Sequence, residues 1–140
     1  MLNLSDEQIE EIAAELRCGM VCYIHKKTGE LIYFPDPERF YDGDFEPWEG
    51  AIEKVENKRM EYLAIQDRKS CEAYQVMEKF AETIEDPVDK GRFFERLRMR
   101  KPFANFNDLV HNSPYREAWF EFNKASYHNY VKKKVEELES

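Results

Sequence analysis

Residues 19–35 read GMVCYIHKKTGELIYFP, and this stretch decides the fold. Two runs rich in β-branched and aromatic residues flank Lys26-Lys27-Thr28-Gly29. Such runs favour strands, and Gly29 supplies the positive φ that a short hairpin turn needs. Pro35 and Pro37 end the second run, because proline has no N–H to give to a sheet ladder. A lone hairpin is marginal in water, so further strand or helix must cover it. Residues 59–66, RMEYLAIQ, supply a third strand. The expected fold is therefore α+β: a small three-stranded antiparallel sheet, one face covered by helices, with a helix-rich C-terminal half.

Working outward, Ser5 and Gln8 have the spacing of a capping box, and Asp6 and Glu7 suit the positive end of a helix. Ile9, Ile12, Ala13 and Leu16 then repeat at helical spacing to about Arg17. Residues 48–58 read as a helix with Trp48, Ile52 and Val55 on one face. From residue 70 the pattern is helical throughout. Ser70 is the expected cap of a helix carrying Ala73, Val76, Met77, Phe80, Ala81 and Ile84. Asp86-Pro87 has the cap-plus-proline form of a helix start, with Val88, Phe94 and Leu97 turned inward. Pro102 breaks that helix and opens another bearing Phe103, Phe106 and Val110. Asn112-Ser113-Pro114 begins the last helix, which passes Tyr115, Ala118, Trp119, Phe122 and Ala125 toward a charged tail, KKKVEELES. No repeat and no long linker divides the 140 residues, so a single domain over 1–140 is expected.

Four short runs, KKTGELIY (26–33), YQVMEKFAETI (74–84), ERLRMRKPFANFND (95–108) and WFEFNKASY (119–127), occur in an order that resembles the uncharacterised bacterial family UPF0158. The resemblance implies the domain boundary and the fold; it implies no activity and no functional residue.

The net charge of −8 is unevenly placed, with −11 over residues 1–86 and +3 over 87–140. An acidic chain repels a long polyanion at a distance, which argues against nucleic acid as partner without excluding it. Three cysteines, Cys18, Cys22 and Cys71, form no disulfide framework and fit reduced thiols, so a cytoplasmic location is expected. No window is apolar enough for a membrane span. A zinc site from Cys18, Cys22 and His25 fails on the length of an extended chain. The acidic loop holds Asp36, Glu38, Asp42, Asp44, Glu46 and Glu49; Asp42, Asp44 and Glu46 imitate the opening of a calcium loop without its later glycine and glutamate, and the loop reads as solvated. His25, His111 and His128 lack a nucleophile elbow or phosphate loop, so no catalytic residue, cofactor or metal is assigned.

The basic run is what remains. Arg92, Arg96 and Arg100 stand at i, i+4 and i+8, one stripe of a helix, and Lys101 precedes a helix start. Asp89 and Glu95 are placed to neutralise part of it. Internal pairing with the acidic half explains the arginines without a ligand. The functional reading is an anion- or partner-binding stripe of Arg92, Arg96, Arg100 and Lys101 in a non-catalytic binding or regulatory module. The rival is an enzyme acting on a phosphorylated small molecule, with Arg96, Arg100 and Lys101 as phosphate clamps. Phe93 and Phe120 lie off the main apolar stripes and are expected to meet a second helix or a partner, a homo-oligomer among the options.

Overall fold

A computed structural model describes residues 2–40 and 43–139. The chain forms two compact units: residues 1–67 with 127–140, and residues 68–126 between them.

The first unit is built on the expected hairpin. Helix α1 (Asp6–Arg17) opens with the full capping box: Ser5 Oγ accepts from the Gln8 amide at 3.1 Å and Gln8 Oε1 from the Ser5 amide at 2.9 Å. Strand β1 (Met20–His25) pairs antiparallel with β2 (Leu31–Pro35) on one side and with β3 (Tyr62–Ile65) on the other, giving the order β2-β1-β3. The third strand is shorter than its sequence suggests, because Arg59–Glu61 forms a 3-10 turn that feeds it. Helix α2 (Glu49–Asn57) follows a 3-10 turn over Glu46–Trp48.

The sheet is covered on both faces, where one was expected. Cys22 and Ile24 point with Ile65 toward α1, Ile12 and Leu16. Val21 and Tyr23, alternating to the other side, pack with Phe34 and Tyr62 against Val55 of α2. A central strand with two covered faces loses its alternation of polar and apolar residues, which is why MVCYI is apolar throughout. The last helix, α6 (Arg116–Glu139), adds Tyr127, Val131 and Val135 to the α1 side. These lie at i, i+4 and i+8, and Val135 falls within the charged run KKKVEELES, so that segment continues a packed helix.

Gly19, between α1 and β1, has φ +88°, and a Cβ there would meet the Phe40 ring at 2.5 Å. The ring is the movable end of a half-exposed side chain, whereas the left-handed backbone is not relieved by any shift of Phe40. Gly19→Ala is expected to lower stability by about 1–2 kcal/mol, measured by denaturant melts. An unchanged midpoint would show that this backbone turn relaxes.

The second unit is helical: α3 (Ser70–Glu82), α4 (Pro87–Leu97), α5 (Pro102–His111) and the first part of α6. Ser70 is the first helical residue, not the cap; Lys69 holds the cap position, and Glu72 Oε1 accepts its amide at 3.3 Å. Asp86 caps α4 as expected, accepting from the amides of Val88 at 2.8 Å and Asp89 at 3.2 Å. Of the inward face expected for α4, Leu97 is buried and Phe94 packs partly buried against the core, while Val88 is exposed and Phe93 takes the inward position. Phe93 is 1% exposed and packs with Leu97 one turn on, whereas Val88 is 64% exposed. The pair at i and i+4 shares a face that Val88 does not reach. Phe80, Phe93, Phe106 and Trp119 meet edge-on or tilted at centroid separations of 4.9 to 6.4 Å and form the centre of this unit.

Candidate anion-binding surface

The basic run spans the end of α4 and the start of α5. Arg92 is exposed on α4. Arg96 is half-buried, and its Nη1 lies 3.7 Å from Asp108 Oδ2 of α5. Arg98 is the C-cap of α4, so the helix stops short of Arg100. The expected three-arginine helical stripe is therefore two residues long, Arg92 and Arg96, and Arg100 belongs to the turn that follows. Pro102 also keeps a helix from running through this turn, because its ring disfavours helical backbone at the residue before it. That residue, Lys101, adopts φ 54° and ψ 57°, the left-handed region.

Two side chains hold this turn, and neither stood out in the sequence. Tyr74 of α3 donates its hydroxyl to Leu97 O at 3.0 Å, satisfying a carbonyl at the end of α4. Asn105 of α5 donates Nδ2 to Arg100 O at 2.7 Å and to Lys101 O at 3.2 Å. The only signal for the second was an asparagine one turn inside a proline-started helix. Together these bonds present Arg98, Met99, Arg100 and Lys101 as exposed residues on a tied backbone.

Internal pairing accounts for Arg96 alone. Among the described residues, no carboxylate lies within ion-pair distance of Arg92, Arg98, Arg100 or Lys101. Asp89 makes no ion pair with the run among the described residues; its Oδ2 accepts the Tyr115 hydroxyl at 2.7 Å. That bond raises the Tyr115 phenol to about 12.

The remaining candidates are scattered. His25 ends β1, His111 ends α5 and is exposed, and His128 lies within α6. Ser113 shapes the turn before α6, donating to Val110 O at 2.8 Å and accepting the Tyr115 amide at 3.1 Å. Cys22 is buried within the sheet, while Cys18 and Cys71 are exposed. Among the described residues, no three metal-binding side chains gather. In the acidic loop, Asp42 lies outside the described residues. Asp36 is not solvated: it is buried, its Oδ1 accepts the Glu38 amide at 2.9 Å, and Gln66 Nε2 approaches its Oδ2 at 3.4 Å. Phe93 is a core residue, whereas Phe120 is 54% exposed.

No described helix is long and apolar enough to cross a membrane. No curated protein and no solved structure matches the chain. The model of the uncharacterised protein family UPF0158 matches residues 3–139, nearly the whole sequence, and the chain belongs to that family.

Proposed function

We propose that this protein is a cytosolic, non-catalytic binding module that meets an oxyanion-bearing partner through Arg92, Arg98, Arg100 and Lys101. The observation that carries the reading is the exposure of these four cations with, among the described residues, no carboxylate at ion-pair distance. From residue 90 to 101 there are six cations and one acid, in a chain of net charge −8. Cations held together in a background of opposite sign repel one another, and a partner's carboxylates or phosphates relieve that repulsion. Arginine adds a planar fork that grips such groups at two points. Arg96, whose Nη1 already lies 3.7 Å from Asp108 Oδ2, is not counted in the contact. The acidic remainder of the chain screens long-range attraction, so the contact is short-ranged and selects a compact anionic group over an extended polyanion.

The test compares melting of the whole chain with tripolyphosphate or a poly-glutamate peptide. Stabilisation is expected to grow with ligand concentration by mass action. The variant Arg98→Ala/Arg100→Ala/Lys101→Ala should melt as wild type alone and lose most of the ligand response. An equal response from the variant defeats the reading.

A further inference from the structure

His25 closes β1, and its side chain is 13% exposed. Its Nδ1 accepts from two backbone amides of the β1–β2 turn, Lys27 and Thr28, each at 3.1 Å. A neutral imidazole has one donor and one acceptor nitrogen, so these amides assign the ring proton to Nε2. Nε2 faces Glu61 Oε1 at 3.5 Å, and the ring meets Tyr62 edge-on at a centroid separation of 5.0 Å. Backbone bonds at 2.9 Å, from Gly29 N to His25 O and from His25 N to Glu30 O, complete the turn.

We propose that His25 is a proton-operated clamp on this turn: neutral, it holds the Lys27 and Thr28 amides, and protonated, it releases them. An imidazolium carries N–H on both nitrogens and has no acceptor left. Protonation in place would set one donor against two others. Histidine is the side chain whose ordinary charge change falls between about pH 5 and 8. Charged groups approach the ring from each neighbouring element. Glu61, in the 3-10 turn before β3, attracts the imidazolium. Lys54 of α2 and Lys58, the C-cap of that helix, line the same cleft as the ring and oppose it, as do Lys26 and Lys27 of the turn itself. Glu30, across the turn, is held by Lys54 at 3.0 Å. His25, Lys54, Lys58, Glu30 and Tyr62 line one cleft of about 460 Å³, so turn release alters the shape of that cleft. Glu61 gives the released ring a partner, which makes the acid form a second folded arrangement of the turn.

Amide exchange and chemical shifts of the whole chain between pH 8 and 5 test this. Protection at Lys27 and Thr28 is expected to fall about tenfold, with the same midpoint as the His25 ring resonances. The variant His25→Asn offers an acceptor oxygen at nearly the reach of Nδ1, in the manner of an Asx-turn, and does not titrate. It should keep both amides protected across the range, while His25→Ala loses that protection at every pH. Unchanged amides in β1 and β2 away from the turn show that both variants fold. A ring that does not titrate with these amides, or an asparagine variant that repeats the wild-type pH dependence, overturns the clamp.

Discussion

Phe106→Ala is expected to cost about 3–5 kcal/mol, enough to unfold the helical unit in much of the population. Phe106 is fully buried, and its ring lies 4.9 Å from Trp119, 5.4 Å from Phe93 and 6.4 Å from Phe80. Removing it opens a cavity faced by three rigid rings, whose own edge-to-face geometry prevents collapse into the gap. The matching control is Val88→Ala on the exposed side of α4, which should stay within about 0.5 kcal/mol of wild type. Denaturant unfolding followed by tryptophan fluorescence reads both, since Trp119 packs in this cluster. A loss below about 1 kcal/mol for Phe106→Ala would mean that the aromatic centre is loosely packed.

Thiol chemistry gives the second large effect. Cys22 sits in the central strand with its side chain toward α1, and burial pushes its thiol up to about 12, with the carboxylates of Glu11 and Glu15 acting in the same direction. Only thiolate reacts readily, and access is lost as well. At pH 8 an alkylating reagent should modify the exposed Cys18 and Cys71 at least about a hundredfold faster than Cys22. Peptide mass spectrometry before and after denaturation separates the three sites. Native labelling of Cys22 at the rate of the other two would contradict a sheet covered on its α1 face.

The hairpin, the α1 capping box and the Asp86-Pro87 start were legible because each depends on residues within a few positions of one another. Gly29, with φ +74°, is such a case: the turn demands its conformation locally. The errors arose where a distant neighbour decides. Phe93 rather than Val88 faces inward because Phe80 and Phe106 wait for it. Val131 and Val135 are core residues only because the sheet lies beneath them, and the lysines between them hide the pattern. In the basic run the residue types were visible, while their grouping was not. Pro102 and the Asn105 bonds break the helix before Arg100, and Asp108 removes Arg96 from the free cations.

Anion binding by the cations at the α4–α5 turn, as proposed, is tested by a tripolyphosphate titration of the whole 15N-labelled chain, read by backbone amide shifts. Saturable shifts are expected, centred on Arg92 and on residues 98–104, weakened by added salt and lost in Arg98→Ala/Arg100→Ala/Lys101→Ala. Saturable shifts that avoid this turn, or none at millimolar anion, would contradict it.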